Sequence, residues 1–528
     1  MATAVADVDP GLDPKRDRLV IIASSLGTIF EWYDFFLYGI LASLLGRLFF
    51  ATGNPTTELL FSLGAFAIGF FFRPIGAVIF GYFGDRIGRK YTFLVTISLM
   101  GGATAAIGLL PTYASAGIWA PVLMLLLRTL QGMALGGEYG GAAIYVAEHA
   151  PAGRRGFYTS FIQIAAPVGF LLCLVIVIAT RHAMSPEAFE AWGWRVPFLM
   201  SLALLAVSIF IRLKLAESPV FQAMKAAGNT SKNPIIESFS DRANLGKVMV
   251  AMIGITAGMT VIYYTSQFGT LYFLQGTSRI PEEQALLYMA CGALVAAPAY
   301  VFFGWLSDKI GRKQVVLAGY ALTLALIFPL FHMLADAANP ALAEATRAAP
   351  VTLELPACDY SVFVKPESDC GKALDFISKR GIDHEKRTSA SLALNVGGQR
   401  VIGFDKVAYT AALVKAGYPD VADPARISHF RIIAAIVMIV LLSAMTYGPL
   451  AAILVEMFPA KIRYTSLSIP YHIGSGYFGG FLPLISQLIV VRTGDAFAGL
   501  WYTVVVVAVA FVVTAVWLRD TRHINIHD

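Results

Sequence analysis

Long apolar runs alternate along this chain with short polar segments rich in Arg, Lys, Asp and Gly. The bilayer core takes about 20 apolar residues per helical span. Twelve spans are predicted, at roughly 19–48, 57–84, 91–110, 119–147, 157–180, 193–214, 247–275, 284–306, 314–335, 427–456, 466–490 and 496–519. All are expected to be helices, because an open strand in lipid leaves its backbone groups unpaired. The fold class expected is an all-α membrane protein of two six-helix bundles.

The polar segments repeat. Gly81–Lys90 reads GYFGDRIGRK and Gly304–Lys313 reads GWLSDKIGRK, each between two apolar runs. A second pair, AEHAPAGRR (Ala147–Arg155) and VEMFPAKIR (Val455–Arg463), aligns Glu148 with Glu456 and Arg155 with Arg463. The second pair lies about 85 residues farther apart than the first, and a polar stretch of about that size is visible at 337–426. Two related halves with one insertion account for both motifs. The expected order is an N-terminal segment 1–18, a first bundle 19–214, a linker 215–246, a second bundle 247–519 interrupted by the insert 337–426, and a tail 520–528. Within the insert, 391–396 reads as a strand and 405–416 as an amphipathic helix.

Composition agrees with the pattern. The chain is 57% hydrophobic and 14% charged, with a mean hydropathy of +0.67, too apolar for an ordinary soluble protein. Its net charge of +6 sits mostly in short loops. Arg86, Arg89, Lys90, Arg154, Arg155, Lys309, Arg312, Lys461 and Arg463 fall on one side if twelve helices alternate, which places both termini in the cytoplasm and the insert outside. Scattered cations of this kind argue against nucleic acid as a partner. Residues 1–18 are polar and no cleavable signal is expected. Cys358 and Cys370 share the exported insert, where an oxidising compartment favours a disulfide. Cys173 and Cys291 lie in spans. No nucleophile elbow, metal cluster or nucleotide loop is present, so enzyme activity, a metal and a cofactor are not expected.

Charges inside the spans carry the chemistry, since each is costly in a bilayer unless paired or hydrated. Glu31 and Asp34 share one face of span one, and Asp34 lies about 22 Å into it. Arg128 lies about 14 Å from the end of span four, at a depth similar to Asp34, and an ion pair between them is expected. Glycines 132, 136, 137, 140 and 141 give overlapping GxxxG spacings suited to close helix packing. Arg73 stands in span two, and Glu138 in span four is either a proton site or a structural acceptor. The second half offers few charges. His332, His472 and Glu456 are its exceptions, beside Tyr263, Tyr264, Gln267, Tyr447, Tyr471 and Tyr477.

The two decapeptides resemble the loop motif of the major facilitator superfamily. The runs GTIFEWYDFFLYG, RPIGAVIFGYFGDRIGRK, RTLQGMALGGEYGGAAIYVAEHAP and YGPLAAILVEMFPAKIRYTSLSIPYHIG together resemble its metabolite:proton symporter family, which includes α-ketoglutarate, citrate, shikimate and proline/betaine permeases of bacteria. The resemblance covers the spans and leaves out the insert. It implies a multi-pass protein of the bacterial cytoplasmic membrane that imports a small organic anion with protons, the proton gradient being its energy source. Asp34, Glu31 and Glu138 are the expected proton-coupling groups; Arg128, Arg73, Gln163, Tyr263, Tyr447 and Tyr471 are the expected substrate contacts, of which Asp34, Arg128 and Gln163 match positions of the more distantly similar sugar–proton symporters. Gly81, Asp85, Arg86, Gly88, Arg89, Asp308, Gly311, Arg312, Glu148, Arg155, Glu456 and Arg463 are read as a cytoplasmic latch between the halves. The alternatives are a zwitterion symporter of the proline/betaine type, an exporter, and a transporter-like nutrient receptor whose insert binds an unknown ligand or partner.

Overall fold

Apolar segments without an alternating pattern form helices here, as a bilayer requires of them. The computed structural model describes residues 14–87, 89–137, 139–151, 153–213, 234–358, 360–361, 366–459, 462–524 and 526. Among these, nine helices are long and apolar enough to cross a membrane, or eleven if each of two bent pairs is one span; the apolar helix Leu94–Leu109 is shorter. The first bent pair is a departure from the unbroken span expected at 19–48. Ser25–Ile40 and Ala42–Phe50 meet at 62°. Tyr272 donates its hydroxyl to the Gly39 carbonyl at 2.7 Å, and a side chain inserted into the helix ladder is a known cause of such a bend. Pro186–Gly193 and Arg195–Ile211 form the second pair, at 56°. The seventh run begins earlier than expected, within a helical stretch Arg242–Thr277.

The helices before the linker pack on one another, and those after it do the same. Small residues set the closest approaches. A Cβ on Gly132 would lie 1.8 Å from the Gly69 carbonyl oxygen, so the Pro55–Phe71 and Trp119–Gly136 helices touch backbone to backbone. Across the two halves, a Cβ on Gly304 would lie 2.5 Å from Ser160 Cβ and 2.6 Å from the Gly156 carbonyl oxygen. That crossing explains the first glycine of the second decapeptide. Its later glycine, Gly311, has φ +109°, which lets the chain turn from the helix Pro298–Ile310 into Arg312–Ala338 without strain.

Between Arg312–Ala338 and His429–Tyr447 the insert folds around its own core, which includes Leu353, Ile377, Leu394 and Tyr409. It has helices Pro340–Ala348, Asp369–Lys379 and Lys406–Lys415 and four strands, β1 (Val351–Leu355), β2 (His384–Thr388), β3 (Ala393–Val396) and β4 (Gln399–Ile402). The sheet order is β2-β1-β3-β4, with β1 parallel to β2 and the other pairs antiparallel. Alternate residues of β1 are buried, as expected of a strand with one face on a core. Cys358 and Cys370 form a disulfide that ties the start of the Asp369–Lys379 helix to the segment after β1.

Candidate functional site

Where the halves meet at mid-depth, buried polar groups gather without enough partners. Arg73 is 1% exposed, and its Nε and Nη2 find no hydrogen bond among the described residues. Its guanidinium lies 3.9 Å from the Phe70 ring centroid and 4.4 Å from that of Phe35, and Tyr264, Tyr447 and Tyr471 are its electrostatic neighbours. Gln163 donates to the Tyr139 hydroxyl at 2.6 Å. Tyr139 of the first half stacks flat on Tyr471 of the second, centroids 3.7 Å apart, and Tyr263 stacks on Tyr447 at 5.0 Å. A cavity of about 20 Å³, bordered by Glu31, Arg73, Tyr139, Tyr471 and His472, lies in this contact.

The hydroxyls of Tyr263 and Ser475 and Gln267 Oε1 also lack partners among the described residues. Each buried, unmade hydrogen bond costs about 1–3 kcal/mol, and native proteins hold few of them. Their gathering around Arg73 makes this contact between the halves the candidate site. The sequence brings Arg73, Gln163, Tyr263, Tyr447 and Tyr471 to this point. Tyr139 and Ser475 escaped notice, and only the glycines on both sides of Tyr139 set it apart from packing tyrosines. Tyr477 lies elsewhere, stacked on Phe71.

The expected Asp34–Arg128 pair is not formed. Arg128 is fully buried, donates to Gln131 Oε1 at 2.7 Å and to the Phe66 carbonyl at 3.4 Å, and lies over the rings of Tyr38 and Phe35. Asp34 has Cys173 of the fifth run as an electrostatic neighbour, and its Oδ1 has no hydrogen-bond partner among the described residues. Successive side chains on a helix point about 100° apart. Phe35 takes the direction that faces both Arg73 and Arg128, and Asp34 is turned from it toward span five.

The face bearing the loop motifs is closed by charges. Both oxygens of Asp308 accept backbone N–H groups at the start of the Arg155–Gln163 helix, Gly156 at 2.9 Å and Phe157 at 2.8 Å. A carboxylate at a helix N-terminus satisfies its free donors and its dipole. Arg312 bonds Asp308 at 2.6 Å and Glu456 at 3.1 Å. Arg155 of the first half lies 3.7 Å from Glu456 of the second, and Arg463 bonds Glu148 at 3.2 Å. The chain after the last span joins them: Arg155 donates to the Ile524 carbonyl, Arg463 to that of Ile526, and Thr521 to Glu456. Gly88 and Glu138, and the side chains of Asp85, Arg86 and Arg89, lie outside the described residues; the backbone around Gly81 is helical.

The opposite face is closed by rings and by the insert. Phe36 packs on Tyr263, Tyr264 and Phe268. Arg181 bonds Glu282 at 2.7 Å and His182 approaches Glu283 at 3.2 Å. The insert touches both halves. Asp375 accepts from Asn54 Nδ2 of the first half at 2.9 Å. On the second half, Asp383 accepts from the Ala496 amide, His384 N–H bonds the Gly494 carbonyl, and Arg279 reaches the Arg380 and Pro419 carbonyls.

Comparison with known proteins agrees with this architecture. A family model described as sugar (and other) transporter matches residues 19–244. The inner membrane metabolite transport protein YhjE of Escherichia coli (strain K12) is 30% identical over 509 residues, 96% of this chain and 94% of its own. The shikimate transporter of the same organism is 36% identical over 329 residues, 61% of this chain and 74% of its own. The solved structure of the major facilitator superfamily proton:xylose symporter XylE bound to 6-bromo-6-deoxy-D-glucose has the same fold, with a TM-score of 0.62 at 16% identity, covering 98% of each chain. Matched nearly end to end by a metabolite transport protein, the chain belongs to the metabolite transporters of the major facilitator superfamily and is a multi-pass membrane transporter, not an enzyme.

Proposed function

We propose that the chain is a proton-coupled secondary transporter of a small organic anion that works by alternating access. The observation carrying this reading is Arg73, a buried guanidinium with two unpartnered nitrogens in a ring of tyrosines between the halves. Such a fork matches a carboxylate in geometry and charge, and a substrate carboxylate supplies the bonds that Arg73 Nε and Nη2 lack. The site is nearly closed in this state, so substrate enters when the halves part on one face.

Asp34 is the proposed proton carrier. Ionised and unpartnered at this depth, it is costly, and it lies one residue from Phe35, against which Arg73 packs. A proton arriving from outside lets substrate bind and the halves close; its loss inside accompanies release. The buried network of Asp308, Arg312, Glu456 and Arg155 then serves as the cytoplasmic lock, and the insert lies outside the membrane. A zwitterion is the second reading, favoured by Glu31, which borders the same small cavity as Arg73 and so offers the opposite charge.

Uptake into proteoliposomes under an imposed pH gradient, across a panel of carboxylates, zwitterions and sugars, tests the class. The proposal expects carboxylate accumulation that Arg73→Gln lowers by about tenfold or more and Arg73→Lys restores only weakly. Preference for a neutral sugar would overturn it.

A further inference from the structure

Away from the central site, the insert and the second half enclose a cavity of about 450 Å³. Three carboxylates border it, Asp336, Asp383 and Asp495. Arg347, on the same wall, is held by Asp336 at 3.0 Å. Neither Asp383 nor Asp495 has an ion-pair partner among the described residues, and Asp495 is a charged neighbour of Asp383. Each spends one oxygen on a backbone amide, Asp383 on Ala496 and Asp495 on Phe497, both at 2.7 Å. The second oxygen of each remains. Ser278, 2% exposed and on the same wall, has a hydroxyl with no partner among the described residues.

Two like charges sharing a wall repel one another, and a cation between them relieves the repulsion. A bare metal ion fits poorly. No group of three or more metal-binding side chains is found among the described residues, and the cavity is far larger than an ion. Phe328, His332 and Phe497 line part of the remaining surface, with the Phe497 and His332 rings tilted against one another 4.0 Å apart, and aromatic faces attract organic cations. Acceptors dominate the polar wall, which favours a cation carrying N–H groups over one fully alkylated. We propose that this cavity binds a primary ammonium group, carried by a small amine or by an amine-bearing lipid headgroup, and that the bound cation holds the insert on the second half.

Protonation offers the same relief in a different way. Burial, with the nearby Asp495 charge, pushes the Asp383 carboxyl up to about 6. The other titratable groups on this wall are Asp336, Asp495, His332 and Arg347; Tyr418 faces Asp383 from within the insert, and His384 follows it in the chain. Ammonium binding should therefore weaken as pH falls through about 6, when Asp383 takes up a proton.

Calorimetric titration of the purified full chain in neutral detergent with ethanolamine tests the proposal. One saturable site at pH 7.5 is expected, weaker for tetramethylammonium and weakened about tenfold by either Asp383→Asn or Asp495→Asn, as loss of a charge-assisted contact implies. Arg400→Gln, in an exposed ion pair of the insert away from this wall, should bind ethanolamine unchanged. Should both cavity variants fail to fold, loss of wild-type binding between pH 7 and pH 5 remains as the reading. Displacement of ethanolamine by dihexanoyl phosphatidylethanolamine assigns the lipid headgroup as the source, and its failure to displace assigns the free amine. The absence of a saturable site at pH 7.5, or a site indifferent both to the variants and to pH, would overturn the proposal.

Discussion

The two faces that close the centre of this transporter use opposite chemistry. On the motif face, Asp308, Arg312, Glu456 and Arg155 form a buried ionic network, and Arg463–Glu148 crosses between the halves beside it. On the insert face, the halves meet through the rings around Phe36, one hydroxyl bond from Tyr272, and ion pairs that reach solvent. Removing one member of a buried network strands the others and costs about 3–5 kcal/mol. An exposed pair is worth about 0–1 kcal/mol. By these magnitudes the motif face is the more firmly held of the two, and the rings and solvent-reaching pairs of the insert face are the weaker closure.

Breaking the lock should have the largest effect. Glu456→Gln removes the anion shared by Arg312, Arg155 and Thr521. Hydrogen exchange at the Gly156 and Phe157 amides, which bond Asp308, should quicken by about a hundredfold, the equivalent of nearly 3 kcal/mol. Unchanged protection there would mean that the network does not hold the face shut. Arg73→Gln should come next, with carboxylate uptake down about tenfold or more at equal surface amount, since a charge-assisted bond contributes about 1.5–3 kcal/mol.

On the insert face the effects should be smaller. Tyr272→Phe removes a single neutral hydrogen bond, about 1 kcal/mol, and should speed exchange around the bend at Gly39 by about fivefold. Arg181→Gln breaks a half-buried pair and should change uptake by less than about fivefold, the equivalent of about 1 kcal/mol. A large loss of transport in Arg181→Gln would make the insert face a lock as well and erase the contrast.

Much of this contrast could be read from residue order. Asp308, Gly311 and Arg312 stood out because the decapeptide occurs twice, and Glu148, Arg155, Glu456 and Arg463 because a second motif does. Repetition reports function without geometry. Arg73 and the tyrosines were legible because a charge or a polar ring in an apolar run needs a reason. The partner of Arg128 was not. Depth along a helix follows from counting residues, but direction around it depends on the neighbours, and Phe35 rather than Asp34 faces Arg128. The bend after Ile40 was hidden for a similar cause, since it depends on a hydroxyl more than two hundred residues away in the chain. The insert announced its polarity and its cysteines, while its hold on both halves rests on single contacts such as Asn54–Asp375 that no local pattern encodes.

Coupling is the central claim, and Asp34→Asn in proteoliposomes tests it most directly. Uptake of a carboxylate substrate would be followed under an inward proton gradient, alongside exchange of labelled for unlabelled substrate without one. The account predicts that the wild type does both, and that Asp34→Asn exchanges substrate while failing to accumulate it. Accumulation against a gradient that survives in Asp34→Asn would contradict the account and move the proton site to Glu31 or Glu138.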